Sequence, residues 1–298
     1  MKALHDLAAP AKLNLFLHIV GKRADGYHLL QSLFVLIDWA DTLHVERRED
    51  GRIARHDVGS TLALPADDLC VRAARLLQQH TACTLGADIH LEKRLPAGAG
   101  MGGGSSDAAT TLLALNRLWG LGLTREQLMS LGLTLGADVP FFLGGGPALV
   151  EGIGEVLHPI SLPRQRFAVL KGPGGLATKE IFSSKLLASS KSSAIVMGFP
   201  ASARNTENLI NGFGHNDLQP AAEGISVEVR NGLNLLSNTF GNSRMTGSGA
   251  AVFSRLDDLG DNGKDERSLA TIMQDLPAGW TGRICHSLSR HPLADWIG

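Results

Sequence analysis

The run Leu95-Pro-Ala-Gly-Ala-Gly-Met-Gly-Gly-Gly-Ser-Ser-Asp107 constrains this chain more than any other stretch. Five glycines, Gly98, Gly100, Gly102, Gly103 and Gly104, stand directly ahead of a helical pattern in which Ala108, Leu112, Leu115 and Trp119 share one face. Glycine is needed where the backbone takes positive φ or must let a bulky ligand come close. A loop of bare N–H groups feeding a helix N-terminus forms a phosphate cradle. A tight turn is the plain alternative. Two serines at the helix start, and the strand-like Ala87-Asp-Ile-His-Leu-Glu-Lys93 just before the loop, favour the cradle. No lysine closes the loop as in Gly-x4-Gly-Lys-Ser/Thr, which excludes a Walker-type site. Gly98-x-Gly100-x-x-Gly103 does satisfy the dinucleotide fingerprint. It is followed, however, by Trp119-Gly-Leu-Gly-Leu-Thr124 and a second helical segment from Arg125 to Leu133, where the fingerprint needs a strand ending in an acidic residue.

A chain of 298 residues is long enough for two domains, and 44% apolar with 19% charged residues is a globular composition. The net charge of −1, with no long basic run, argues against nucleic acid or an anionic membrane as partner and favours a small molecule. Cys70, Cys83 and Cys285 are odd in number and lack a C-x-x-C spacing. That speaks against a disulfide framework or a zinc site and for a reducing compartment, the cytoplasm. No apolar run approaches the roughly 18–20 residues of a membrane span. The stretch after Lys2 is broken by Asp6, Lys12 and Asn14, so no signal peptide is expected.

Ala11 to Val20 alternates, with Ala11, Leu13, Leu15, Leu17 and Ile19 on one side and Lys12, Asn14, Phe16 and His18 on the other. Asp25-Gly26 marks a turn, and strand patterns resume over Leu29–Ile37 and Asp41–Arg47. Asp67 to Leu77 reads as a helix with an acidic first turn. A polar stretch between His158 and Arg166 suggests a boundary, dividing the chain into units 1–160 and 161–298. The class is α+β, with two domains meeting at a cleft. Ser183 to Asn205, rich in small polar residues, reads as a mobile surface segment. A second glycine cluster, Met245-Thr-Gly-Ser-Gly-Ala250, precedes a strand at Ala251–Phe253.

A phosphate loop alone only binds. Transfer also needs a group that orients or deprotonates the acceptor hydroxyl, and positive charge for the phosphoryl oxygens. Lys12 and Asn14, two apart on a strand, can project into one cleft, and Asp138 lies in the short Gly-Ala-Asp-Val-Pro140 segment. Taken singly, Lys12 also reads as a solvated strand residue and Asp138 as a helix N-cap.

Pro10-Ala-Lys-Leu-Asn-Leu-Phe-Leu17, Arg23-Ala-Asp-Gly-Tyr-His28, the loop, Leu135-Gly-Ala-Asp-Val-Pro140, Asn216-Asp-Leu-Gln-Pro220 and Thr246-Gly-Ser-Gly249 together resemble the motifs of the GHMP kinases. They span nearly the whole chain. The resemblance implies the two-domain GHMP kinase fold with its active site between the domains. It implies ATP, arriving with Mg2+, on Pro96, Ala97, Gly98, Ala99, Gly100, Met101, Gly102, Gly103, Gly104, Ser105 and Ser106. Asp138 is then the base, supported by Lys12, and Asn14, Tyr27 and His28 bind the acceptor. Either Ser105 or Ser106 could touch the magnesium, but no acidic ligand is evident and no metal residue is assigned. The Arg-Ala-Asp-Gly-Tyr-His stretch resembles the branch that phosphorylates the 2-hydroxyl of a CDP-linked methylerythritol on the non-mevalonate isoprenoid route. The nucleobase would lie against Tyr27, the chain's only tyrosine. Without the resemblance, Tyr27 reads as a hairpin residue packing on its own turn. Two alternatives remain: a GHMP kinase acting on another acceptor, such as homoserine or mevalonate, and a nucleotide-binding protein without catalysis. Ser183 to Asn205 matches none of the motifs.

Overall fold

Two long strands organise the chain. In the computed structural model, which describes residues 1–59, 64–184, 186–187, 214–256 and 262–297, β1 (Ala3–Lys22) and β2 (His28–Arg48) pair antiparallel along their whole length. The hairpin between them turns at Gly26, where φ is 93°. The two strand patterns over Leu29–Ile37 and Asp41–Arg47 are one continuous strand, because Asp38-Trp-Ala40 holds no glycine or proline to stop it.

β2 carries the rest of the sheet. β4 (Gly86–Glu92), β5 (Ala148–Glu151) and β10 (Thr281–Leu288) all pair with it, and β3 (Ile53–Asp57) runs parallel to β4. β6 (Val156–Pro159) pairs with β5. β7 (Arg166–Lys171) joins β10 to β9 (Ala251–Leu256), and β8 (Arg244–Met245) closes that edge.

The alternation read in β1 is only partly obeyed. Every residue from Ala9 to His18 is buried, polar ones included. The register also slips between Asn14 and Leu17, a bulge that moves Leu17 onto the side of Lys12 and Asn14. Phe16, expected on that side, packs instead with Ala11, Leu13 and Leu15.

Among the described residues, helices α1 (Leu69–Thr81), α2 (Gly103–Leu118), α3 (Arg125–Leu135) and α4 (Val139–Gly144) lie in the N-terminal half. The expected acidic first turn of α1 lies one step earlier. Asp68 is the N-cap, its carboxylate accepting from Val71 N–H at 3.1 Å. α2 is buried on nearly every side, so its hydrophobic pattern is a core rather than a stripe. α5 (Thr178–Phe182), α6 (Gln219–Ile225), α7 (Val227–Phe240) and α8 (Asn262–Asp275) follow. Most of the expected mobile segment, residues 188–205, lies outside the described residues.

Three apolar clusters result. α1 to α4 pack on β1, β2 and β4 around Leu112, Leu115 and Phe141. A middle cluster joins Leu13, Leu33 and Val35 to Phe167, Val169 and Phe253. The third places α6 to α8 against β7 and β9. Leu293 and Ile297, at the C-terminal end, return to the first cluster.

Candidate active site

Each candidate residue is held by a different element. The glycine loop leaves β4 and enters α2 with Gly98, Gly100 and Gly102 all at positive φ. At Gly100, φ is 70°, and a Cβ would lie 2.5 Å from the Thr246 carbonyl oxygen and 2.9 Å from Gly249 N. No side chain fits there. At Gly102, with φ of 71°, a Cβ would meet the Phe142 ring at 2.9 Å and the Lys12 stem at 3.2 Å. Gly103 and Gly104 have no positive φ and begin the helix. The N–H groups of that first turn have no acceptor within the helix.

The second glycine cluster is the underside of the first. Ala250 N–H donates to Gly98 O at 3.0 Å, and Ala251 N–H to Ala99 O at 3.1 Å. Asn216 Nδ2 donates to both Met245 O and Gly247 O at 2.8 Å, fixing the cluster from the side.

The cleft in front of this double loop encloses about 360 Å³. Lys12, Asn14, Asp138, Gly100, Gly102 and Ser105 all line it. Ala99 and Met101 point instead into the core, Pro96 is half-buried, and Ala97 and Gly98 are exposed. The Ser106 hydroxyl is buried and has no hydrogen-bond partner among the described residues.

Lys12 Nζ donates to Asn14 Oδ1 at 2.6 Å, stands 3.6 Å from Asp138 Oδ2 and lies 4.3 Å from the centre of the Phe34 ring. Asn14 Nδ2 donates to Ser32 Oγ at 3.0 Å, and Asn14 N–H to Thr246 Oγ1 at 2.9 Å. Burial pulls the Lys12 amine below its usual range, and the Asp138 carboxylate opposes that pull. Asp138 occupies the N-cap position of α4, but its side chain makes no cap bond and faces the cleft. The bland reading of each residue therefore fails: Lys12 is 3% exposed, and the Asp138 carboxylate caps nothing.

Tyr27 is 60% exposed at the hairpin tip and does not line the cleft. His28 stacks on Phe182, ring centres 5.4 Å apart, and Phe182 does line it. Phe182, Phe34 and Thr178 escaped the sequence reading. Thr178 pairs its hydroxyl with Ser248 at 2.9 Å, and Ser248 lies within the quoted Thr246-Gly-Ser-Gly249 motif.

A buried charge network also escaped it. Lys93 Nζ bridges Asp41 and Asp107, the latter at 2.7 Å, directly behind the loop. Asp41 Oδ1 accepts from the N–H groups of Arg94 at 2.6 Å and Leu95 at 2.8 Å, which tethers the loop's entry. Burial lifts the Asp107 carboxyl to about 8 against the pull of Lys93.

Residues 68–146 match the GHMP kinases N terminal domain. The chain is 56% identical over 300 residues to the 4-diphosphocytidyl-2-C-methyl-D-erythritol kinase of Methylibium petroleiphilum, a match covering 100% of this chain and 99% of that relative. The crystal structure of a 4-(cytidine 5'-diphospho)-2C-methyl-D-erythritol kinase superposes with a TM-score of 0.76 at 32% identity, over 95% of this chain and 98% of that one. Homoserine kinase from Cytophaga hutchinsonii superposes with a TM-score of 0.72 over 98% and 96% of the two chains, and at 16% identity it speaks to the fold alone.

Proposed function

The chain belongs to the 4-diphosphocytidyl-2-C-methyl-D-erythritol kinases, a branch of the GHMP kinases, and we propose how its cleft carries a phosphoryl group from ATP to that substrate's 2-hydroxyl. It is a small-molecule kinase. The observation that carries the mechanism is the meeting of Lys12, Asn14 and Asp138 at a cleft floored by the glycine loop.

An alcohol is a poor nucleophile. Asp138 takes the hydroxyl proton as the oxygen attacks the terminal phosphorus, and the displaced diphosphate leaves as ADP. The Lys12 ammonium keeps the carboxylate ionised and offsets charge on the phosphoryl oxygens in transit. Asn14 holds that ammonium in place before any ligand arrives, so little reorganisation is needed during transfer. The bare N–H groups of the loop and of the first turn of α2 receive the phosphates of ATP.

Mg2+ would come with the nucleotide. Among the described residues, no group of three His, Cys, Asp or Glu side chains could hold a metal. Ser105, which lines the cleft, would offer its hydroxyl to the ion. Bound there, the ion would offset phosphate charge.

His28 and Phe182 form one wall for a nucleobase, and Tyr27, beside His28 at the exposed hairpin tip, offers it a further aromatic face. We place the joint between two domains near residue 160, in the β6–β7 connection. We place the reaction in the cytoplasm, where free thiols such as Cys70, Cys83 and Cys285 persist.

A coupled assay of ADP release with CDP-linked methylerythritol, homoserine and mevalonate tests this reading. Turnover is expected with the first alone. Equal turnover of the three would end the assignment.

A further inference from the structure

α4 is only six residues long, yet Asp138 stands at its start. With a rise of about 1.5 Å per residue, its far end lies within roughly 8 Å of that carboxylate's backbone. Whatever fixes the far end therefore aims the base.

Three observations show what fixes it. The Arg125 guanidinium, at the start of α3, donates from Nη1 to Leu143 O at 2.8 Å. From Nη2 it donates to Ala294 O at 2.8 Å and Ile297 O at 3.0 Å, both in the C-terminal segment. His291 N–H takes the next carbonyl beyond α4, Gly145 O, at 2.7 Å. The last carbonyls of a helix have no partner of their own. Here they are tied to a segment that the chain brings back about 150 residues later in sequence, with Leu293 and Ile297 buried in the first core cluster. Arg117 stacks over Trp296 at 4.7 Å and holds the same segment from α2. Along its length α4 is pressed against α3, where a Cβ on Gly132 would meet Val139 and Leu143 at 2.8 Å.

We infer that Arg125 is a positioning residue for phosphoryl transfer: by tying the C-terminal segment to the end of α4, it sets the direction in which Asp138 faces Lys12. This rests on the base role given to Asp138 above. At 3.6 Å the ion pair of Lys12 with Asp138 is longer than a charge-assisted hydrogen bond, so the helix shares in fixing where the carboxylate points.

Arg125→Met keeps the stem and removes the fork. A misplacement of about 1 Å can cost about 10²-fold in rate. kcat is therefore expected to fall roughly ten- to a hundredfold, with KM for ATP and acceptor within about twofold of wild type. Arg125→Lys keeps the charge but gathers its donors on one nitrogen, and should recover part of the loss. In an Asp138→Asn background, Arg125→Met should cost less than about twofold, because no base is left to aim. The same loss in both backgrounds, or a loss confined to KM, overturns the inference. So does full kcat in Arg125→Met. Thermal melts accompany each variant. If Arg125→Met is unfolded at assay temperature, Arg125→Lys carries the same comparison in both backgrounds. An active Asp138→Asn enzyme would instead defeat the base role itself, and that result is read before any Arg125 variant is made.

Discussion

Replacing the Asp138 carboxylate by an amide keeps its shape and removes its basicity. Asp138→Asn should lower kcat by about 10²- to 10⁴-fold and leave ATP-analogue affinity unchanged. More than about a tenth of the wild-type rate would contradict the base role. Tyr27 calls for a different measurement. At 60% exposure its loss should leave stability within about 0.5 kcal/mol. Aromatic–base stacking is worth about 1–3 kcal/mol, so Tyr27→Ala and Phe182→Ala should each weaken CDP binding about five- to 150-fold, read by calorimetry, with ATP unaffected. A Tyr27→Ala protein that binds CDP like wild type would make the tyrosine a turn residue only. That Lys12 and Asn14 share one cleft was legible in their two-residue spacing on a strand, whereas the place of Asp138 beside them rested on the resemblance of its motif. Phe182 was not legible. Its helix is five residues long, lies beside a stretch without motif, and meets His28 only through contact between distant parts of the chain.

The glycine loop shows what a motif leaves unsaid about its own members. All five glycines read alike in sequence, as places of positive φ or of close approach, and Gly103 is not one of positive φ. That position has already entered α2, so its glycine answers to space rather than to φ. A Cβ there would meet Leu95 at 3.4 Å and Lys93 Nζ at 3.5 Å, ordinary contacts, whereas at Gly100 it would strike backbone. Gly100→Ala is therefore expected to lose most ATP-analogue affinity, and Gly103→Ala to stay within about 1 kcal/mol of wild-type stability. Equal effects in a fluorescence titration would mean the loop adapts. Behind it, Lys93→Met would leave Asp41 and Asp107 buried without their cation. A loss of about 3–5 kcal/mol is expected in urea unfolding above about pH 8, where Asp107 is charged; less than about 1 kcal/mol there would mean that the network does not depend on its cation. The bulge in β1 was equally invisible in the alternation, because a register slip is decided by pairing with β2 and not by the strand's own residues.

His291 links pH to the stability of the whole molecule. It is 1% exposed, Nδ1 accepts from Leu293 N–H, and Nε2 is buried without a hydrogen-bond partner among the described residues. Burial, with Arg125 adding to it, holds the imidazole down at about 4 against an ordinary 6.5. Between those values the unfolded chain binds more protons, so stability falls as pH drops through this window. A shift of that size corresponds to about 3 kcal/mol. His291→Gln should flatten the decline, as measured by urea unfolding at pH 7 and pH 4.5. An unchanged pH dependence would place the acid sensitivity elsewhere, for example at the buried His18. The α+β class was legible from strand and helix patterns. The return of the C-terminal segment to the first core was not, since Leu293 and Ile297 are ordinary apolar residues whose partners lie far away in sequence. The interlocked glycine loops carry a consequence for how the molecule comes into being. Gly98 and Ala99 wait for Ala250 and Ala251, about 150 residues downstream. At roughly 5–20 residues per second, a ribosome needs on the order of ten seconds to supply them. Until then the first core cluster lacks Leu293 and Ile297, and the phosphate cradle lacks its underside. Nucleotide can thus meet the finished cradle only after residues 250 and 251 have joined it.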